Sequence, residues 1–258
     1  MTQVKLGDKN IPFIYQGNKL LYPNPIKDSL MLWVDFKGLN NASYEKQWAE
    51  NFADNSNNNK LNNFAYAEGS GYKNGLQFDG VDDFISFNDL TVDDFGGMDK
   101  FTFDFTITFT NSNKRGAIFC LPLTDPNDGS RRFSVKVTEN KEIAIGRFNG
   151  VWKGKKTVPI NKETVNVIIT FENMKDEDFN LKVYVDGVEF EISTGYIALG
   201  EYYGYPYTYL TIGWQGSGSM AEYAFLKEII HSAKIYNRVL NEQEIQHNYN
   251  LEKERWGL

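Results

Sequence analysis

The chain has 258 residues, of which 41% are hydrophobic and 15% aromatic, and a formal net charge of −7. Its length suits one large β domain of roughly 200–250 residues, and the aromatic content can fill a sizeable core. The acidic balance excludes nucleic acid as a partner, because the phosphate term that dominates such binding is missing.

From the N-terminus, Val4–Tyr22 reads as short strands around two turns, Gly7-Asp8 and Gly17-Asn18, ended stiffly by Pro23-Asn-Pro25. These strands form an N-terminal hairpin segment over residues 1–28, and the domain proper is predicted over 29–258. Its first strand is Ser29–Phe36, and the Asn-rich run Asp54–Asn59 is expected to be a low-complexity loop. Phe101–Phe109 alternates strictly, with Phe101, Phe103, Phe105, Ile107 and Phe109 on one face and Thr102, Asp104, Thr106 and Thr108 on the other. That pattern predicts a half-buried strand.

Ser134–Thr138 and Glu142–Gly146 pair around Glu139-Asn140-Lys141. Lys153-Gly-Lys-Lys156 reads as a short solvated loop. Val165–Phe171 and Leu181–Val185 form a hairpin across an acidic connection, and Asp186-Gly187 turns the chain back into Val188–Ile192. Asn241 caps a helix predicted over 241–254, with Glu242 and Glu244 in the first turn, where the dipole favours them. This helix is expected to clasp the edge of the sandwich. Many short strands joined by polar turns predict an all-β sandwich of two antiparallel sheets.

Three segments are similar, in order, to signatures of the laminin-G-like, concanavalin A-like jelly rolls. These are the strand reaching Phe78-Asp-Gly80, the strand ending in Tyr184-Val-Asp-Gly187, and the last strand carrying Ile235-Tyr-Asn-Arg238 before a helix. The resemblance implies a jelly roll over most of residues 29–250. Because this fold hosts lectins, adhesion modules, glycosidases and inert structural domains, it does not fix the function.

Carbohydrate-binding candidates are aromatic. Gly200–Tyr209 holds five tyrosines, and Tyr203, Tyr205 and Tyr207 share one side of an extended segment that Pro206 keeps at an edge. Trp152 and Trp214 extend that platform. No cofactor is required by any motif. The resemblance does imply calcium for some members, and the loop carboxylates that would supply oxygen ligands here are Asp79, Asp82, Asp83, Asp125 and Asp128. Glu189 and Glu191 share a strand face as glycosidase carboxylates do, but the third acidic residue of such a signature is missing, so both are read as solvated and the chain as not an enzyme. His231 and His247 lack any nucleophile or metal-ligand setting, and His247 is read as a surface or packing residue.

Cys120 is the only cysteine, so no intrachain disulfide forms and it reads as a small buried hydrophobe. Residues 1–9 lack an apolar export core, and no segment approaches a membrane span. Synthesis in the cytoplasm of a bacterial host, combined with a laminin-G-like domain, leads to the expectation of a phage virion protein. On this reading the chain is a non-enzymatic tail or baseplate module of a phage of a Gram-positive host. It binds host cell-wall polysaccharide, contacts other virion proteins through the N-terminal hairpin and forms a homo-oligomer. The alternatives are a purely structural interaction domain of the virion, a glycosidase or cell-wall hydrolase, or a bacterial cytoplasmic protein of another role.

Overall fold

The computed structural model describes residues 5–6, 9–10, 14–16, 19–22, 24–42, 47–88, 90, 94, 100–110, 114, 116–122, 132–149, 151–172, 180–190, 210–215 and 225–258. Its strands are β1 (Lys5–Leu6), β2 (Lys9–Asn10), β3 (Ile14–Gln16), β4 (Lys19–Tyr22), β5 (Leu30–Asp35), β6 (Trp48–Asn51), β7 (Ser56–Asn62), β8 (Gly71–Tyr72), β9 (Leu76–Gln77) and β10 (Phe84–Phe87). They continue with β11 (Lys100–Thr108), β12 (Gly116–Pro122), β13 (Arg132–Val137), β14 (Glu142–Asn149), β15 (Val151–Pro159), β16 (Thr164–Glu172), β17 (Asn180–Val185), β18 (Val188–Phe190), β19 (Leu210–Ile212) and β20 (Ile229–Tyr236). Among the described residues one α-helix, α1, spans Glu242–Trp256.

Two antiparallel sheets of eight strands face each other. The first runs β15-β14-β13-β12-β19-β10-β7-β6, and the second runs β18-β17-β16-β11-β20-β9-β8 with β5 also on β20. The β1–β2 and β3–β4 pairs stand apart from both sheets and enclose the two N-terminal turns. Residues that follow them already join the domain, since Ile26 N–H donates to Asn248 Oδ1 at 3.0 Å and Asp28 pairs with Arg238 at 2.8 Å.

The alternation of β11 sends Phe101, Phe103, Phe105 and Ile107 into the core, where Phe103 meets Phe119 of the opposite sheet at 4.4 Å and Phe101 meets Phe133 at 6.0 Å between ring centroids. Facing apolar rows of this kind, removed from water, dominate the stability of a sandwich. The hairpins predicted around residues 139–141 and between Phe171 and Leu181 are formed by β13–β14 and β16–β17. At the β17–β18 turn, Asp186 and Gly187 both take positive φ, 49° and 75°. Gly187 is doubly constrained, because a Cβ there would meet the Tyr249 ring at 2.5 Å.

Four expectations are corrected. The Asn-rich run is not all loop, because Ser56–Asn62 forms β7, paired with β6 and β10. Pairing on both sides overrides the weak strand preference of asparagine, and the Asn59 side chain returns a hydrogen bond to Ala49 O at 3.1 Å. Lys153–Lys156 likewise lies within β15, paired to β14. The polar face of β11 is not wet, since Thr102, Asp104 and Thr106 are as buried as the phenylalanines on the other side. The reason is the fourth correction: α1 lies across the outer face of the second sheet instead of clasping an edge.

The helix itself forms as its ends dictate. The Asn241 side chain accepts from Glu244 N–H while the Glu244 side chain accepts from Asn241 N–H, and Gly257 closes the C-terminus at φ 72°. His247 is half-exposed on α1, with Nε2 2.8 Å from Asn24 O, so it packs as expected.

Candidate functional site

Gly213 and the turn at residues 79–83 meet at one end of the first sheet. Gly213 has φ 91°, and a Cβ at that position would lie 2.4 Å from the Phe78 ring and 3.1 Å from the Asp83 carbonyl. Glycine therefore lets the strand end press against the turn and hands Trp214 to the outer face of the sheet. Ile85 and Phe87 of β10 point into the core, so Phe84 and Ser86 point outward. Trp214 packs on Phe84 at 4.9 Å and stacks on Phe225 at 6.2 Å with the ring planes 11° apart. Thr211 Oγ donates to Trp214 O at 2.8 Å, which fixes the backbone beneath the indole. The three half-buried rings form a shelf beside the acidic turn.

The turn brings Asp79, Asp82 and Asp83 together, with one ligand oxygen from each lying within 4.8 Å of the others. Asp79 Oδ1 accepts from Val81 N–H at 2.7 Å and Asp82 N–H at 3.3 Å, and Asp83 Oδ2 accepts from Asp79 N–H at 2.9 Å. Asp83 Oδ1 is buried without a well-formed hydrogen bond, and burial, outweighing the Ser70 side chain and the Asp79 backbone, pushes the Asp83 carboxyl up to about 6. A buried carboxylate oxygen beside two further carboxylates offers the oxygen donors a calcium ion takes.

Other candidates lie elsewhere or outside the described residues. Tyr203, Tyr205, Tyr207, Asp125 and Asp128 fall outside them, as does Glu191. Trp152 sits in β15, in register with Phe148 of β14, and three strands, β14, β13 and β12, separate it from β19, at whose end Trp214 lies. Glu189 is on the exposed outer face of β18, paired with Lys182 at 3.0 Å, as the solvated reading requires. Cys120 is buried.

The sequence reading missed the partners of Trp214. Phe84 was visible in principle, because Phe-Ile-Ser-Phe with Ile85 and Phe87 inward leaves Phe84 outward; Phe225 carries no such signal. It also missed a buried ionic cluster beneath α1. Lys234 Nζ lies 2.9 Å from Glu252 Oε1 and 3.4 Å from Asp104 Oδ2, and Arg255 pairs with Glu252 at 3.2 Å and with Asp35. Ser232, Thr106 and Trp256 all donate to Glu252 Oε2. Burial alone would raise the Glu252 carboxyl, but Lys234 and Arg255 override it and hold the group well below the usual range. Burial wins at Asp35 and Asp104, whose carboxyls are pushed up despite Arg255 and Lys234.

His231 borders this cluster, with Nε2 2.6 Å from Thr108 Oγ and its ring 4.4 Å from that of Trp256. Nδ1 is buried without a well-formed hydrogen bond. Burial lowers the imidazole to about 4, so the ring is neutral at physiological pH.

Two facing antiparallel sheets with a single C-terminal helix define a jelly-roll sandwich of the lectin type. The family model for the concanavalin A-like lectin/glucanases superfamily, Laminin_G_3, matches residues 79–246, and the chain belongs to that family. No curated protein matches the sequence. Among solved structures, it is similar to Trypanosoma rangeli sialidase in complex with 2,3-difluoro-KDN, with TM-score 0.61, 16% identity, and coverage of 88% of this chain and 33% of that one. A complex of the same sialidase with sialic acid gives TM-score 0.60 at 16% identity, with coverage of 88% and 33%. The K499G mutant of NanB sialidase from Streptococcus pneumoniae gives 0.50 at 17% identity, with coverage of 67% and 27%. The chain thus spans about a third or less of the length of these sialidases, and at such identity the likeness is one of fold. These neighbours overturn the expectation of a phage tail or baseplate module: the fold is shared with sialidases, and short N-terminal strands around Gly-containing turns are too common to specify a virion.

Proposed function

We propose that the chain is a non-catalytic carbohydrate-binding module. The observation that carries this reading is the shelf of Trp214, Phe84 and Phe225, whose flat apolar faces suit the C–H face of a sugar ring. The sialidases of related fold are supporting context, since their complexes hold sialic acid and a fluorinated analogue. Calcium, when bound, would be held by Asp79, Asp82 and Asp83 and would offset their mutual repulsion beside the shelf.

Electrostatics favours binding over catalysis. Glycoside hydrolysis requires a carboxyl held protonated within reach of the leaving oxygen. Among the described residues the carboxyls pushed above their usual range are Asp35, Asp83 and Asp104, and all three are buried away from solvent.

Trp214→Ala tests the reading. The variant should bind polysaccharide more weakly by about 0.5–1.5 kcal/mol in pull-down or affinity electrophoresis across a panel of insoluble and soluble glycans. Wild-type protein that retains no member of the panel, or a folded variant that binds unchanged, would sink the assignment. Release of reducing sugar or sialic acid by the wild type would overturn its non-catalytic part.

A further inference from the structure

A cleft of about 640 Å³ lies on the other sheet, between the outer faces of β16 and β17 and the start of α1. It exists because of how the chain enters the helix. Thr102 Oγ donates to Arg238 O at 2.8 Å and accepts from Leu240 N–H at 3.0 Å, pinning this segment to β11. Leu240 then packs with Ile168, Tyr184 and Tyr236. From that anchor α1 runs over β16, β11 and β20, covering Tyr184 but leaving the Asn180–Lys182 end of the outer face of β17 open, and a wedge remains beside it. The volume falls within the roughly 300–1,000 Å³ of small-molecule sites.

Its chemistry is specific. Thr170 and Glu172 come from β16, Asn180, Lys182 and Tyr184 from β17, and Gln243 from α1, over an apolar floor at Val239 and Leu240. Two of its three charges are paired within the protein, Glu172 with Lys100 at 2.8 Å and Lys182 with Glu189 at 3.0 Å, while the third, Glu242, stands near Lys182. The hydrogen bond from Lys100 holds the Glu172 carboxyl below its usual range, so it is an acceptor at neutral pH. An anion entering the cleft meets Glu172 and Glu242, and a cation meets Lys182 and the positive end of the helix. A neutral ligand with many hydroxyls avoids both penalties. Each hydroxyl can donate to a carboxylate or amide oxygen and accept from an amide or ammonium N–H.

We infer that this cleft is a binding site for a neutral saccharide, separate from the aromatic shelf and lined by residues of β16, β17 and α1. The capping pair Asn241 and Glu244 is left out of the recognition set, so the helix does not depend on occupancy. Asn180, whose side chain hydrogen-bonds Glu172 at the end of the β16–β17 pair, and Gln243 are both exposed, which makes them the residues to vary.

The test uses the full chain, ¹⁵N-labelled, titrated with maltotriose, cellotriose, chitotriose and xylotriose, with 3′-sialyllactose as the charged comparison. At least one neutral trisaccharide should shift the side-chain amides of Asn180 and Gln243. N180A/Q243A should weaken that binding at least about tenfold, the loss of two hydrogen bonds, while Trp214→Ala leaves it in place. Three results would each overturn the inference: amides unmoved by every neutral sugar, binding indifferent to the double variant, or binding abolished by Trp214→Ala. Abolition by Trp214→Ala would leave the shelf reading intact, and persistence in that variant would leave the cleft standing even if the shelf binds nothing.

Discussion

His231 should make the fold sensitive to mild acid, and the structure sets the size and sign of the effect. The unfolded imidazole titrates near 6.5, whereas burial in the fold lowers it to about 4. Between these values the unfolded chain binds a proton that the folded chain refuses, so stability rises with pH across this window. The contribution is complete above 6.5 and is lost as pH falls toward 4. Integrating between pH 7.5 and 4.5 gives about 2.5 kcal/mol at 1.36 kcal/mol per pH unit. The groups facing the imidazole are Thr108, Trp256, Glu252, Lys37, Arg255 and the Asn74 backbone. The one carboxyl among them, Glu252, is held well below its usual range, whereas Asp35, Asp83 and Asp104 titrate with raised values and the opposite sign. The informative quantity is therefore the difference between wild type and His231→Gln, in which these shared titrations cancel. The glutamine amide can keep the bond to Thr108 but takes up no proton. Urea unfolding at half-unit steps from pH 4.5 to 7.5 should show the wild type losing about 2.5 kcal/mol relative to the variant on acidification. Parallel curves would mean that the imidazole is protonated in the fold or is exposed, and would refute the reasoning.

Two further outcomes follow from the helix that covers the second sheet. Lys234→Met should lower stability by about 3–5 kcal/mol, because it leaves Asp104 and Glu252 buried without their shared cation; a shift of the urea midpoint equivalent to less than about 1 kcal/mol would contradict a dry cluster. Asn241→Ala should cost about 0.5–2 kcal/mol through the lost cap, read as a lower thermal midpoint with an unchanged far-UV spectrum at 20 °C.

The parts of the fold legible in the sequence were those written in alternation and turn chemistry. Phe101–Phe109 identified a strand and its core face because period two admits no other assignment, and Asp186-Gly187 identified its turn because two successive positive φ values exclude most other residues. What lay on the far side of Phe101–Phe109 was not legible. Thr102, Asp104 and Thr106 have the composition of a wet face, and only the helix that crosses them, with Lys234, Glu252 and Arg255 contributed from distant positions, makes them a buried polar layer. The Asn-rich run misled for a related reason, since composition reports what a segment prefers alone and β7 is held by strands on both sides.

The candidate site divides along the same line. Asp79, Asp82 and Asp83 were found as a group because a tight turn forces residues so close in sequence to converge, and Trp214 was found because a tryptophan among glycines invites attention. Their proximity was invisible, as it depends on Gly213 letting one strand end press against a turn some 130 residues earlier in the chain. The cleft beside α1 was less legible still. Its residues come from two strands and a helix start, and each reads on its own as ordinary surface: Glu172, Lys182 and Glu189 as paired charges, Asn180 and Gln243 as solvated amides. What makes them a concavity is the anchoring of residues 238–240 on Thr102, which decides where the helix begins to cover the sheet and hence where it does not. The concavity thus arises where a covering element ends, a property of three-dimensional register that no local pattern encodes.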